Sequence, residues 1–395
     1  MERKKSVDTP KSVKFQLDPK FLTCDSNHCI NVYRTSNEEG GDNLDYSLEK
    51  IPEIKAIHKK TLHAFVTNFD NQYLYGGLDT GHVIEWDLLN KGKIRRILPK
   101  INESKITKLI MNQDDTVLIG TDFNGNLLQW CIGEEMKSPS RKLDSSNLDE
   151  SISHSVTACQ LINSDREGRT IILPAICGLV LTKNNQHVFA LNKRGVLMQF
   201  TRILGDNNEI KYKQTFLARA KNLLGVKVDN LLVSNDSLNV FVLSKENSDL
   251  VQIPIGDNEK GIALSFEDRW SYKDVLVKNK KFRIDFVVIS NDSQNVFIAD
   301  TEANLTQIAI STKKLVRNFG KIFEQNIACV AQSNMTKYVG KEYIFFGDAA
   351  GQVIKYDYIE KTYKVLLMTE TGSSKPLYVK NLKIQEMIVS RDNQF

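Results

Sequence analysis

The stretch Gly76-Gly77-Leu78-Asp79-Thr80-Gly81-His82-Val83-Ile84-Glu85-Trp86-Asp87 decides how the rest of the sequence is interpreted. Gly81 supplies the positive-φ position that a tight hairpin turn requires. The β-branched and aromatic residues that follow, through Trp86, suit a pleated and half-buried strand. The stretch therefore predicts a β-hairpin, and it matters because the same pattern recurs along the chain.

The recurring pattern is a turn residue, any residue, two apolar residues, a polar residue and a bulky apolar residue. Seven copies follow one another at spacings of about 44 to 70 residues, a range in which internal repeats indicate propellers and solenoids. The copies occupy residues 27–32, 81–86, 125–130, 195–200, 248–253, 303–308 and 351–356. This repetition predicts seven similar units.

A second element precedes most copies by about a dozen residues. It is an apolar strand that ends in a turn rich in Asn, Asp and Ser. It occurs at residues 65–70, 109–114, 179–184, 231–236 and 287–292. Each unit thus reads strand, polar turn, strand, second turn, strand, with room for a fourth strand before the next unit.

Units of this kind resemble the WD repeats of β-propeller proteins, in which each blade is a four-stranded sheet. The resemblance covers nearly the whole chain, but the repeats diverge, and only Trp86-Asp87 gives the full Trp-Asp pair. It implies an all-β fold: a single seven-bladed β-propeller of four-stranded antiparallel blades. Because the polar network of strong family members is largely missing, we expect apolar stacking and strand ladders to hold the blades.

The domain organisation follows from this interpretation. Residues 1–12 are polar and charged and predict a flexible arm. Residues 13–395 form the propeller, with a long loop insertion at 133–155 and a shorter one at 257–281. Residues 384–390 predict a strand, and two arrangements are open for it. It pairs with the strand at 21–24 and closes the ring, or residues 13–17 supply that strand and the terminal strand belongs to a longer protein.

Composition and charge set bounds on the function. The net charge of +5 over 395 residues is modest, and charges of both signs are interspersed, which makes a weak case for nucleic acid. No apolar run reaches the roughly 20 residues of a membrane span, and no secretory signal is recognisable. Six cysteines without a pairing pattern predict reduced thiols. We expect a soluble cytoplasmic protein, with a nuclear or ciliary location left open.

The sequence predicts no catalytic residue, no cofactor and no metal site. Cys24, His28 and Cys29 share a hairpin, but their spacing does not match a zinc site. Aspartates recur just before the turn into the third strand, where we interpret them as acceptors for the backbone of their own turn. These aspartates are Asp25, Asp79, Asp122, Asp300 and Asp348.

Two turns give a candidate partner-binding face: Asp122, Phe123 and Asn124 in one, and Lys193 and Arg194 in the matching turn of the next unit. In propellers that the chain resembles, such turns lie on a face that commonly binds partners. Phe123 is either an exposed contact residue or a residue packed into a neighbouring loop. Lys193 and Arg194 either contact an acidic partner or form a solvated turn. Ser138-Pro139 in the long loop is a proline-directed phosphorylation site or an ordinary loop dipeptide.

The leading functional prediction is a non-enzymatic scaffold that binds unidentified protein partners within a larger assembly. One alternative is a non-catalytic subunit of an RNA- or chromatin-associated complex, based on the basic segments 91–100 and 278–283. Another is a ciliary or cytoskeletal structural propeller, for which no residue argues directly. The leading prediction rests partly on analogy at the level of the fold.

Overall fold

A computed structural model describes the chain over nineteen ranges and shows β-strands as its regular elements there. The described residues are 20–24, 30–37, 46–54, 62–69, 72–88, 93–132, 156–161, 176–205, 210–219, 228–256, 263–264, 270–272, 283–321, 327–332, 343–348, 353–357, 362–366, 368–370 and 386–389. The segments 1–12 and 133–155, the predicted arm and long loop, lie outside them.

The strands are short and follow one another at close intervals. In chain order they are β1 (Lys20–Cys24), β2 (Ile30–Asn37), β3 (Tyr46–Ile54), β4 (Leu62–Thr67), β5 (Tyr73–Leu78), β6 (Val83–Asp87), β7 (Lys93–Leu98), β8 (Ile106–Met111), β9 (Val117–Asp122), β10 (Leu127–Cys131), β11 (Thr157–Leu161), β12 (Ile176–Leu181), β13 (His187–Asn192), β14 (Val196–Leu204), β15 (Ile210–Arg219), β16 (Asn230–Val233), β17 (Asn239–Ser244), β18 (Asp249–Gly256), β19 (Ala263–Leu264), β20 (Trp270–Ser271), β21 (Ile284–Ile289), β22 (Asn295–Asp300), β23 (Asn304–Ala309), β24 (Leu315–Lys321), β25 (Ile327–Gln332), β26 (Tyr343–Asp348), β27 (Val353–Asp357), β28 (Thr362–Leu366), β29 (Met368–Glu370) and β30 (Glu386–Val389).

Among the described strands, six antiparallel blades follow one another along the chain. They are blade 1 (β4–β7), blade 2 (β8–β11), blade 3 (β12–β15), blade 4 (β16–β20), blade 5 (β21–β24) and blade 6 (β25–β28). Within each blade the strands lie side by side in chain order, and we call them a, b, c and d. The a strands of neighbouring blades contact one another, as β4 does β8 and β12 does β16, so they line the inside of the ring. In blade 4 the d position is shared by β19 and β20, which both pair with β18 and lie within the predicted insertion at 257–281.

A further sheet, which we call the terminal sheet, differs from these blades. Its strand order is β29-β3-β2-β1-β30, so it has five strands and draws them from both ends of the chain. It also contains a parallel pair, β29 with β3. The prediction of seven four-stranded antiparallel blades is therefore wrong: the described strands form six. The repeat at 27–32 was counted as a seventh blade because the sequence motif detects only a local hairpin. In the structure this hairpin belongs to the terminal sheet, which is completed by strands distant in the sequence.

The terminal sheet joins the two ends of the described chain. β1 pairs antiparallel with β30, with Phe21 opposite Val389 and Thr23 opposite Met387. β30 also contacts β25, the a strand of blade 6. The pairing expected between residues 384–390 and the strand at 21–24 is thus present. The strand considered at 13–17 lies outside the described residues.

The apolar core lies between blades rather than within them. Each of five clusters of buried side chains combines residues of two successive blades, from blades 1 and 2 through blades 5 and 6. The approach is close: a Cβ added at Gly77 would lie 2.4 Å from the Ile106 side chain, and one at Gly178 would lie 2.3 Å from Leu231. Glycine is required at these positions because the neighbouring blade occupies the space of a side chain.

The c strands are buried on both faces, whereas the sequence predicted half-buried strands. The polar residue of the repeat is fully buried in blades 1 to 3, at Glu85, Gln129 and Gln199. The amide of Gln129 donates to the backbone oxygen of Ile210, 2.6 Å away in blade 3. Polar and apolar residues therefore alternate in these strands although neither face of the sheet is exposed to solvent, because neighbouring blades cover both faces.

Hydrogen bonds also link the a–b turns of successive blades. In each, a backbone N–H donates to a side chain of the next blade, and that acceptor residue has positive φ. The pairs are Phe69 with Asp115 Oδ1 at 2.7 Å, Gln113 with Asn185 Oδ1 at 2.9 Å, Lys183 with Ser237 Oγ at 3.0 Å and Asp236 with Ser293 Oγ at 3.0 Å. We call this series the turn-to-turn bonds. It connects blades 1 to 5, and each acceptor lies directly after one copy of the second sequence element.

Replacing Trp86 should destabilise the protein more than replacing Trp270. Trp86 is buried in β6 with its ring against Gly76, and truncating such an aromatic side chain to Ala costs about 3–5 kcal/mol. Trp270 is only half-buried, so less apolar surface is lost when it is truncated. The free energy of unfolding of Trp86→Ala and Trp270→Ala, measured in urea, tests this order. Equal losses would contradict it.

Removing β30 should destabilise the terminal sheet and its neighbour. A chain ending at residue 385 leaves β1 without its second partner and exposes an open strand edge. We expect a lower melting temperature, aggregation, and faster hydrogen exchange of the amides at 21–24. Unchanged exchange at those amides would show that β30 does not protect β1.

Candidate functional site

The predicted site residues lie in the b–c turns of two neighbouring blades. Asp122, Phe123 and Asn124 connect β9 to β10 in blade 2, and Lys193 and Arg194 connect β13 to β14 in blade 3. Because strands in a blade alternate in direction, all b–c turns lie at one end of the ring and all a–b turns at the other. We call these ends the upper face and the lower face. The structure therefore places all five residues on the upper face.

Asp122 fixes the backbone of its turn. Its side chain is fully buried. Oδ1 accepts the backbone N–H of Asn126 at 2.8 Å, and Oδ2 accepts the side-chain amides of Asn126 and Asn102 at 2.7 and 3.2 Å. The interpretation of this aspartate as a turn acceptor is confirmed. Its contribution to the site is to position the turn.

The same device recurs on the upper face. Asp300 Oδ1 accepts the N–H groups of Glu302 and Asn304 at 2.9 and 2.8 Å. In blade 3, Asn192 replaces the aspartate and accepts the N–H groups of Arg194 and Val196 at 3.0 and 2.8 Å. Each b–c turn of this type therefore presents its tip residues from a fixed backbone.

Phe123 projects from such a tip into solvent. Its side chain is 66% exposed, while its backbone N–H donates to the Lys105 oxygen at 2.8 Å. Gly125, with φ of 86°, closes the turn directly behind it. Phe123 is thus exposed rather than packed into a neighbouring loop, on a backbone that its turn holds in place. Its role as a contact residue stays a prediction.

Lys193 and Arg194 are exposed, and so is Asn124. Blades 2 and 3 contact each other through β9 and β12, so the two turns stand on adjacent blades. The b–c turns of blades 2 and 3 therefore present one exposed aromatic ring and two positive charges. The structure places these groups on one face and describes no direct contact between Phe123 and the two basic residues.

Asn102, which supports the site from outside the repeats, was not predicted from the sequence. Asn102 lies in the segment between β7 and β8, and its side chain bonds Asp122 across to blade 2. Its backbone oxygen also lies close to Gly81: a Cβ added at Gly81 would be 2.1 Å from this oxygen. Since this segment belongs to no motif, only the structure could identify it.

The basic segment 91–100 is partly buried in blade 1. Arg95 and Arg96 both bond the carboxylate of Glu85, and Arg96 is 4% exposed. Burial, followed by the charge of Glu85, raises the pKa of the neighbouring Tyr75 well above its ordinary range. These two arginines are thus internal partners of a buried carboxylate. In the segment 278–283, only Arg283 is described, and it is exposed.

The described residues contain no group of three or more His, Cys, Asp or Glu that could hold a metal ion. Burial raises the pKa of the Cys177 thiol to about 11, which leaves it protonated and unreactive at neutral pH. No helix in the described part of the chain is long and apolar enough to cross a membrane.

The fold is a β-propeller, the architecture that the sequence resemblance implied. Among solved structures, the chain is similar to the β-propeller domain of Cps50 (Swd1) from Myceliophteria thermophila. The TM-score is 0.52 at 12% sequence identity, and the match covers 83% of this chain and 93% of that one. No protein-family model matches the chain, and no curated protein matches it. At this identity the likeness shows the fold alone.

Losing the Asp122 carboxylate should loosen the turn that carries Phe123. Asp122→Ala leaves three donors on Asn126 and Asn102 without their acceptor, and we expect a loss of about 2 kcal/mol in the free energy of unfolding. Asn124→Ala, at an exposed position of the same turn, should change stability by less than about 0.5 kcal/mol. Urea unfolding of both variants tests this. The assignment fails if Asn124→Ala is the more harmful change.

Proposed function

We propose that the protein is a non-enzymatic scaffold whose upper face holds protein partners within a larger cytoplasmic assembly. WD-type β-propellers are in general protein-interaction scaffolds and are typically non-catalytic. The observation that carries the proposal is the exposed Phe123 ring on a turn whose backbone is held by the buried Asp122.

A fixed aromatic side chain is well suited to protein binding. An exposed ring gains apolar contact when a partner covers it, and a fixed backbone leaves little conformational entropy to be lost on binding. Lys193 and Arg194 on the next blade add positive charge, which favours a partner with an acidic surface beside an apolar pocket.

The RNA- or chromatin-associated alternative has less support. It was based on the segments 91–100 and 278–283, and two arginines of the first segment are engaged by Glu85. Arg96 is buried in this pair and cannot contact phosphates, whereas Arg95 is 28% exposed. No described residue favours a ciliary or cytoskeletal role over the general scaffold.

The proposal can be tested by comparing the proteins retained by three versions of the full chain. These are the unmodified protein, Phe123→Ala, and Phe69→Ala as a matched control. Phe69 is also an exposed aromatic residue, at 47%, but it lies in an a–b turn on the lower face. Retained proteins are quantified by mass spectrometry at low and high salt.

We expect Phe123→Ala to lose at least one stable partner by tenfold or more, and Phe69→Ala to keep it. The double variant Lys193→Glu with Arg194→Glu should weaken the same partner, most strongly at low salt. Loss with Phe69→Ala alone would move the partner-binding face to the other end of the ring. Identical retention by all three versions would refute the role of Phe123.

A further inference from the structure

Lys313 lies in the c–d turn of blade 5, between β23 and β24, with its backbone in the left-handed region at φ of 60°. The turn is closed by two hydrogen bonds: Lys313 N–H donates to the Ala309 oxygen at 2.9 Å, and Ala309 N–H donates to the Lys314 oxygen at 3.0 Å. The backbone of this lysine is therefore fixed, although it stands in a turn at the edge of a blade.

The side chain of Lys313 crosses from blade 5 to an aromatic pocket in blade 4. Its Nζ lies 5.3 Å from the centre of the Trp270 ring and 6.0 Å from that of Tyr272. The two rings meet edge to face, with centroids 4.2 Å apart. Nζ donates to Gln252 Oε1, which also accepts the Tyr272 hydroxyl at 3.0 Å.

Within the described residues, this pocket withdraws the amine in part from water and supplies no carboxylate partner to it. Tyr272 is fully buried and Gln252 nearly so. The carboxylate of Asp249, in β18, accepts the Ser271 hydroxyl at 2.5 Å. No ion pair to Nζ is present in the described part of the chain, and Lys314 points outward and is exposed. Burial lowers the pKa of Lys313 from 10.5 to about 8, although the rings themselves attract a cation.

We propose that Lys313 is an acylation site that takes an acyl group from an acyl thioester. The site is built from an amine held half-buried at the edge of two blades, with aromatic walls and a single described acceptor. In the step, the lone pair of the neutral Nζ attacks the thioester carbonyl carbon, and the new C–N bond replaces the C–S bond. The thiolate leaves with the bonding electrons, and the amine releases one proton to solvent.

Acylation would change how blades 4 and 5 are joined. The product amide carries no charge, so its attraction to the faces of Trp270 and Tyr272 is lost. It is also larger than the amine and retains only one N–H for Gln252. The modification would therefore convert a contact between blades into a site where they separate more easily.

The experiment treats the full chain with acetyl-CoA at pH 7.5 and follows acetylation over time by mass spectrometry. A protease that does not cut at lysine keeps Lys313 and Lys314 on one peptide, so the neighbouring exposed lysine is an internal control. We expect Lys313 to react about tenfold faster than Lys314, because a larger fraction of it is neutral at this pH. The ratio should fall toward one as the pH approaches 10.5, where an ordinary lysine also loses its proton.

Two variants test whether the pocket is the cause. Trp270→Leu removes one wall and should bring the reactivity ratio toward one. Tyr272→Phe keeps the ring and should leave the ratio within about twofold of the original, since the wall that excludes water remains. A ratio near or below one in the unmodified, folded protein from pH 7 to 9 overturns the proposal. That measurement decides the question even if Trp270→Leu fails to fold.

Discussion

Each blade in this protein depends on the blades beside it, because both faces of its sheet are apolar. The buried clusters combine residues of two blades, and Gly77 and Gly178 allow side chains of the next blade to approach within the space of a methyl group. A blade separated from its neighbours would expose both faces to water and could not bury enough surface to stay folded. The blades are therefore stable only together, as a ring. The turns of the candidate site are held in place because the strands on either side of them are packed within that ring.

Polar groups refine this packing rather than drive it. The turn-to-turn bonds give the N–H groups at the start of each a–b turn an acceptor in the next blade. Glu85 is buried with two arginines, so its charge is compensated without water. The turn-to-turn bonds join neighbouring blades, whereas the Glu85 pairs join two strands of blade 1. The bonds between blades add directional contacts to the apolar packing and so restrict how the blades are placed relative to one another.

The features that the sequence predicted correctly are local. A glycine turn followed by a β-branched and aromatic strand identified the hairpins, and the aspartates before these turns identified acceptors such as Asp122, because both signals involve residues a few positions apart. The number of blades was wrong because the terminal sheet draws on residues from both ends of the chain. Likewise, nothing in the irregular stretch 257–281 indicated that Trp270 returns to pair with β18.

The candidate site could be predicted only in part, for the same reason. Phe123 was recognisable as an aromatic residue where most repeats carry small or charged ones. Asn102, which holds Asp122 from a connecting segment, and Lys313, which reaches from blade 5 into blade 4, depend on contacts between blades. Such contacts have no fixed spacing in the sequence, so a single chain does not reveal them.

The pairing of β1 with β30 has a consequence for the way the protein is made. Translation delivers residues 20–24 long before residues 386–389, with the strands of all six blades between them. Through that interval β1 lacks a permanent partner along one edge, while the blades between them can form in order behind it. β1 thus spends longer exposed to chaperones and to wrong partners than a strand paired only with its neighbours in the sequence, and the synthesis of β30 ends that exposure.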